Sequence, residues 1–395
     1  MTPTIKLGRI GGVQVGVHWS VLGILAILVV ALGFARWPQL LPGYPWYVYV
    51  FAALVGAVLF LGSLLAHEVS HAIVARRNDI PVEGITLWLL GGVARLRGEA
   101  RTPGAELRIA AAGPLTSVAV AVFFALVTGL LVLADAPDLV SAIAGYLAAV
   151  NVVLAVFNLV PAAPLDGGRI LRAALWKWRG DRTRAAIWSA RAGRGFGLFL
   201  IFLGAWRLLF AGFGDGLWWI LIGLFITSMA SAEERQAEFG SAVAGVRVRD
   251  VMTPDPDTTD GESTVADFLR DVALARRHSA FPLLDQAGRL QGLITLNRLK
   301  QVPPDRRETT PLREVACPPG EIAMAEPDEP VSDLLERLGG CADGRALVFS
   351  EGNLVGIVSP SDISRLVTLR GLDTGWSRGG ADVTTSPYAR PERRV

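Results

Sequence analysis

The run Val55-Gly56-Ala57-Val58-Leu59-Phe60-Leu61-Gly62-Ser63-Leu64-Leu65-Ala66 leads straight into His67-Glu68-Val69-Ser70-His71. Residues four apart share one face of a helix, so His67 and His71 offer two imidazole nitrogens to one metal ion. Glu68 stands beside them, where a carboxylate takes a proton from water at the metal. The alternative is a buried histidine pair satisfied by neighbouring carbonyls. It is costly, because His67, Glu68 and His71 fall close together on a helix at bilayer depth. The whole chain holds four histidines, so this spacing is an uncommon coincidence.

Composition sets the frame around that motif. The chain has 395 residues, 51% of them hydrophobic and 19% charged. That is more apolar than an ordinary soluble protein. The apolar residues are concentrated before about Met229, which predicts a membrane domain over 1–235, a soluble domain over 246–370 and a disordered tail over 371–395. A net charge of +2 is too small to argue for nucleic acid, and no nucleic-acid partner is expected. Cys317 and Cys341 do not make a disulfide framework, and a reducing compartment suits them. Residues 1–17 read as short extended segments with glycine turns. The apolar run that follows is too long for a cleavable signal peptide.

Apolar runs near the length needed to span a bilayer fall at about Val17–Phe34, Trp46–Ala75, Ile109–Leu133 and Leu139–Val160. A fifth, about Phe196–Phe210, is short and interrupted by glycine. A sixth falls at about Leu217–Met229, and these last two are also readable as one re-entrant hairpin. Ile170–Arg191, with Trp176, Trp178 and Trp188, reads as an amphipathic helix on the membrane face. Arg and Lys crowd the connections on one side, including Arg76, Arg77, Arg95, Arg108, Arg169 and Arg184. The other side holds Arg36 and Arg207 with acidic Asp135, Asp138 and Asp215. This bias predicts a cytoplasmic N-terminus and a cytoplasmic soluble half.

The motif lacks a third ligand. The fourth apolar run breaks at Asn158-Leu159-Val160-Pro161-Ala162-Ala163-Pro164-Leu165-Asp166-Gly167-Gly168. Irregular backbone at this depth is tolerated where it is buried or lines a cavity. Asp166 is therefore the best candidate for the third ligand, ahead of Asp79 and Glu83. Two imidazoles and a carboxylate suit a single catalytic Zn²⁺. Asn158 is a candidate for binding a substrate carbonyl or its oxyanion, with a helix-packing hydrogen bond as the alternative. His18 reads as an interfacial residue beside Trp19, with a place lining the entry to the site as the alternative. Between the second and third apolar runs, two β-prone stretches flank Gly91-Gly92, which reads as a hairpin turn close to the motif. Its edge would satisfy the backbone of an unwound substrate by strand pairing.

The soluble half repeats a helix, strand, strand, helix unit. Val265–Arg276, Ala280–Leu284, Leu290–Thr295 and Leu296–Lys300 are followed by Val331–Leu338, Arg345–Phe349, Leu354–Ser359 and Ser361–Thr368. A repeat of this kind marks the architecture.

These residues together resemble the site-2 protease family of intramembrane zinc metalloproteases. The resemblance rests on His67-Glu68-Val69-Ser70-His71, Gly91-Gly92-Val93, Ala112-Gly113-Pro114-Leu115 and Asn158-Leu159-Val160-Pro161…Leu165-Asp166-Gly167-Gly168. It implies a bundle of six transmembrane helices with a small membrane-embedded hairpin. It also implies zinc on His67, His71 and Asp166, and Glu68 as base. Family members often carry Asn shortly after Gly-Pro-Leu, where this chain has Thr116-Ser117. The soluble half resembles a pair of cystathionine-β-synthase (CBS) domains, α/β units over about 246–303 and 311–370. That resemblance implies an adenine nucleotide, with Ser359 toward phosphate and Asp362 toward ribose. In the first repeat Thr295 takes the phosphate position and Arg298 replaces the acid, so that half-site is altered or empty. The combination looks like an actinobacterial branch of the family. It implies regulated intramembrane proteolysis of a membrane-protein substrate such as an anti-sigma factor, in contact with the lipid bilayer, with homodimerisation through the CBS domains. The alternative function is a non-catalytic membrane sensor or scaffold with a nucleotide-binding CBS module.

Overall fold

The computed structural model describes residues 4–376 apart from 89–90, 97, 99, 211–212, 274 and 277. The chain forms two compact units, Met1–Glu238 and Phe239–Val395.

In the first unit six helices are long and apolar enough to cross a membrane. They are α1 (Val21–Leu40), α2 (Trp46–Arg76), α3 (Pro103–Leu133), α4 (Asp138–Asn158), α6 (Arg182–Phe210) and α7 (Phe213–Val243). A shorter helix, α5 (Asp166–Arg179), precedes α6. Their outer faces are apolar and exposed, as at Leu22, Phe34, Leu126 and Leu133, which suits contact with lipid. The interior relies on small residues. Ala52, Ala53, Ala57, Ala72 and Ala75 of α2 are buried, and Gly33 of α1 lies against the α2 backbone at Val50. Without a hydrophobic force between helices in lipid, such close approach supplies the packing energy.

The last two spans bear out the six-span reading, as two full helices longer than the apolar runs and not the alternative re-entrant hairpin. A Cβ on Gly197 or Gly204 of α6 would collide with α7 backbone at Gly223 and Gly216, and the reverse holds for Gly216 and Gly223. The glycines that read as interruptions are the contact stripe. The Arg-rich stretch is also divided. Gly180, in a left-handed conformation with φ +73°, ends α5, and residues from Arg182 onward belong to α6.

The N-terminal segments form β1 (Ile5–Ile10) and β2 (Val13–Val17), joined at Gly11-Gly12 with φ +57° and +77°. They enter a four-stranded sheet with β3 (Val82–Trp88) and β4 (Gly91–Leu96), in the order β1-β2-β3-β4. β2 runs parallel to β3, with Val15 opposite Ile85, and β3 and β4 are antiparallel. Val13 and Ile85 pack on Val69 and Ala72 of α2, so the sheet is seated beside the histidine motif. Gly91 and Gly92 are not the turn. They open β4, paired with Trp88 and Leu87.

The second unit holds the repeat. β6 (Ala280–Leu284), β7 (Leu290–Thr295) and α9 (Leu296–Lys300) occupy the expected positions after α8 (Val265–Phe268). β9 (Ala346–Ser350) and β10 (Asn353–Val358) form the second pair, within a sheet ordered β5-β10-β9-β8 that includes β5 (Thr253–Pro254) and β8 (Ala323–Ala325). Two helices flank it, α10 (Val331–Leu335) and α11 (Pro360–Trp376). Residues 371–376 are thus helical, against the expected tail, whose remainder lies outside the described residues. Each repeat has its own apolar core, Phe268 and Phe281 in the first, and Val331, Leu334 and Val348 in the second. A third cluster joins them through Leu293, Cys317, Leu347 and Ile357. The cysteines do pair, as a disulfide between Cys317 and Cys341.

Candidate metal centre and its surroundings

His67 and His71 lie one turn apart on α2, 3% and 7% exposed. Asp166 reaches them from the first turn of α5. The Nε2 atoms of His67 and His71 are 3.2 Å apart, and each is 3.2 Å from Asp166 Oδ2. A tetrahedral zinc with ligands at about 2.0–2.1 Å sets its ligand atoms about 3.3 Å from one another. The three donor atoms therefore fit such an ion. Among the described residues, the other group with metal-ligand types is Cys317, Glu321 and Cys341, whose two sulfurs are joined. Asp79 and Glu83 belong to neither group.

The imidazoles are oriented from behind. His71 Nδ1 donates to the Ile109 carbonyl at 2.6 Å, and His67 Nδ1 lies 2.9 Å from Ser117 Oγ. With Nδ1 carrying the proton, each Nε2 lone pair faces the shared centre, the usual outer-shell device of metal-binding histidines. Both partners are on α3. Between them sits Gly113, where a Cβ would overlap His71 Nε2 and lie 2.5 Å from His67 Nε2. Glycine is required there because the α3 backbone presses on both rings. Pro114, which follows inside the helix, has no N–H to bond the Ala110 carbonyl.

Asp166 is placed by a tightly folded connection. Leu165, extended, precedes the helix. Gly167 would meet the Leu159 and Val160 carbonyls with any side chain, and Gly168 would meet the backbone of Ala162 and Ala163. Ser189 of α6 donates to the Gly168 carbonyl at 2.7 Å, and Gly193 of α6 lies against the Ala163 carbonyl. A buried ion pair fixes the rest of α5. Arg172 bonds Glu106 of α3, which is fully buried, and lies 3.6 Å from Glu233 of α7.

Glu68 lies under the edge strand. A Cβ on Gly92 would collide with Glu68 Cγ and lie 2.8 Å from its Cδ, so β4 passes directly over this carboxylate. Gly91 has open space around it and φ +135°. Asn158 ends α4 half-buried, and its amide bonds no other described residue. His18 pairs with Ser20, at 2.8 Å between Nδ1 and Oγ, and stands beside Trp19.

Sequence reasoning missed Ser117, which has no motif of its own. Its clue was helical spacing, since Ile109, Gly113 and Ser117 are four apart and share a face of α3. It also missed Glu106 and Arg172, whose only signal was a charge pair near the helix ends.

In the second unit, Ser359 and Asp362 are together. The Ser359 amide donates to Asp362 Oδ2 at 2.8 Å and the Asp362 amide to Ser359 Oγ at 3.4 Å, a capping box that opens α11, and the Ser359 hydroxyl donates to Asp362 Oδ2 at 2.5 Å. Thr253 adds a bond to Asp362 Oδ1 at 3.2 Å. Thr295 is elsewhere, buried at the start of α9.

A sequence profile of peptidase family M50 matches residues 55–141 and 134–202, and the CBS-domain profile matches 248–304 and 308–368. The chain belongs to peptidase family M50, the site-2 type of intramembrane metalloprotease, and it carries a pair of CBS domains. It is a multi-pass membrane protein. Among its relatives, the protein Rip3 of Mycobacterium tuberculosis is 46% identical over 368 residues, 93% of each chain. Zinc metalloprotease MJ0392 of Methanocaldococcus jannaschii is 29% identical over 93% of this chain and 97% of its own. The solved site-2 protease from M. jannaschii is 26% identical and aligns with 58% of this chain and 95% of its own, with a TM-score of 0.41.

Proposed function

We propose that the chain is a zinc-dependent endopeptidase that cuts unwound transmembrane segments of membrane regulators, with anti-sigma factors as the substrate class. In this reading His67, His71 and Asp166 hold the zinc and Glu68 is the catalytic base. The observation that carries it is the buried triangle of donor atoms with 3.2 Å sides. When bound, zinc polarises the scissile carbonyl and lowers the pKa of water to about 7. Glu68 takes the proton of the attacking water and returns it to the leaving amide nitrogen. The Ile109 carbonyl and Ser117 hydroxyl hold the two imidazoles in one tautomer throughout. β4 is the last strand of its sheet, so its outer edge is available to an extended substrate. Pairing there would satisfy substrate backbone groups and lay the peptide across Glu68. Asn158 is positioned by α4 at the Pro-rich break, and we assign it to the substrate oxyanion.

The arginine-rich connections support a cytoplasmic N-terminus and cytoplasmic CBS pair. We assign the pair a regulatory role through an adenine nucleotide, with Ser359 and Asp362 as its polar anchors. Both also serve the fold through their capping box, so Ser359 receives a phosphate only once its hydroxyl turns from Asp362 Oδ2 of its own cap.

Zinc content and cleavage test the proposal together. The wild type and Glu68→Gln should each hold near one zinc per chain, and His71→Ala and Asp166→Ala should hold little. Cleavage of a co-expressed single-span anti-sigma factor should be lost in Glu68→Gln. Zinc retained in Asp166→Ala would remove the third ligand, and undiminished cleavage in Glu68→Gln would remove the base.

A further inference from the structure

Cys317 and Cys341, the two cysteines of the chain, both fall within the second matched CBS segment, 308–368, and close a disulfide across 24 residues. Their Cα atoms are 5.4 Å apart, ordinary for such a bond. Cys317, near the start of the second segment, lies against the first repeat, where its backbone exchanges two hydrogen bonds with Leu293 of β7, at 2.9 and 3.0 Å. Cys341 lies in the short turn Gly340–Ala342 that leads into β9 of the second repeat.

That turn is folded back on the first repeat at two further points. Thr295 Oγ1 donates to Asp343 Oδ2 at 2.6 Å, and Arg345 donates to Ser279 Oγ at 2.9 Å. Asp343 takes a left-handed backbone, φ +52°, flanked by Gly344 at +70°. A non-glycine residue at positive φ is uncommon and needs its surroundings to hold it. Thr295 is 1% exposed. Its hydroxyl hydrogen is committed to Asp343, and a carboxylate stands where an anion would have to approach. While the turn is fastened, Thr295 cannot serve an anionic ligand.

We propose that Cys317–Cys341 is a reversible thiol–disulfide site that latches residues 339–345 over Thr295, and that its reduction opens the first repeat's half-site to a phosphate-bearing ligand. The second part rests on reading the CBS pair as a ligand-binding module. Cys341 is half-buried and Cys317 fully buried, so exchange begins at Cys341. Its thiolate attacks a small-molecule disulfide and releases one thiolate. The Cys317 thiolate then attacks the Cys341 sulfur of the mixed disulfide and expels the second. The two protons lost by the cysteines end on the two released thiols, and reduction by two small thiols is the reverse. A reducing compartment opens such a bond and oxidative stress closes it. The open form leaves two thiols in an apolar cluster with Leu293, Leu347 and Ile357, which suits free cysteine.

The test uses the full-length protein in detergent micelles, with alkylation, hydrogen exchange and AMP as the probe. Without reductant, the denatured chain should resist alkylation and yield one linked peptide carrying Cys317 and Cys341. After dithiothreitol both should label, and exchange across 339–345 should rise at least tenfold. Oxidised glutathione should restore both original results. AMP should bind the first half-site of the reduced form at least tenfold more tightly, an increment lost in Thr295→Ala. Asp343→Ala, which keeps the bridge and frees the hydroxyl, should show part of that increment without reduction. Free thiols in the untreated chain, or exchange unchanged by reduction, overturns the latch. Equal AMP affinity in the two states overturns control of the half-site. AMP bound by neither state removes the ligand-binding reading and with it the second part, while the exchange result still decides the latch.

Discussion

Gly113→Ala is a sharp probe of the metal centre, because it adds one methyl group and removes nothing. The new Cβ would lie 2.5 Å from His67 Nε2 and 2.7 Å from His67 Cε1, and closer still to His71 Nε2. Ordinary contact begins at 3.4 Å, so His67 Nε2 must retreat by about 0.9 Å, whereas ligand distances tolerate about 0.2 Å. Neither ring has an easy retreat. His71 is tied to the Ile109 carbonyl and His67 to Ser117, on the same helix that carries the new methyl. Relief must come from moving α3 outward or breaking those bonds. Disturbing the outer partners of metal ligands costs about 10–100-fold in affinity, and displacing the ligands themselves should exceed that. The expected result is at least a hundredfold weaker zinc binding, read by competition with a chromophoric chelator in micelles. Gly129→Ala, on the same helix with nothing within 4 Å, controls for helix propensity and should bind zinc as the wild type does. Wild-type zinc affinity in Gly113→Ala would refute the claim that the α3 backbone seats both imidazoles.

Three other perturbations separate the parts of the site. Gly92→Ala should lower kcat at least tenfold while leaving zinc content near one per chain, because its Cβ displaces Glu68 and touches no metal donor; loss of zinc would contradict this. Ser117→Ala should weaken zinc binding about 10–100-fold, with thermal stability nearly unchanged, and chelator competition beside a melting curve checks both. Glu106→Gln strips the buried charge from Arg172 and should destabilise the first unit by about 3 kcal/mol, the lower end for a broken buried pair, because Glu233 remains 3.6 Å from the guanidinium. The double variant with Arg172→Met should recover part of that loss in a thermal-unfolding cycle.

What could be read in advance was local. The His67–His71 spacing, the length of the apolar runs and the strands 280–284 and 290–295 are all visible within a window of some ten to twenty residues, the scale on which helical and strand periodicity act. Asp166 was reachable because a helix that breaks at membrane depth needs a reason. The failures were relational. Nothing in Val13–Val17 announces a parallel partner at Val82–Trp88, since strand pairing over that distance leaves no mark on either segment. Gly197 and Gly204 looked like interruptions because propensity in water penalises them, whereas between lipid-embedded helices they allow backbone contact with Gly223 and Gly216. Gly91-Gly92 looked like a turn for the same reason. Its actual constraint is the Glu68 side chain beneath β4, which belongs to another element.

Asp166 is 99 residues beyond His67, and this separation has a consequence for biosynthesis. A chain emerging from the ribosome presents His67, Glu68 and His71 long before the carboxylate that completes their set. Four spans are made before residue 166, and the segment that carries it is fastened by Ser189 and Gly193 of the fifth. A nascent chain therefore passes through insertion with an unfinished centre, among other membrane segments that are still unfolded and easy to cut. On the proposed ligand set, the growing polypeptide lacks its third ligand until most of its membrane part has been built.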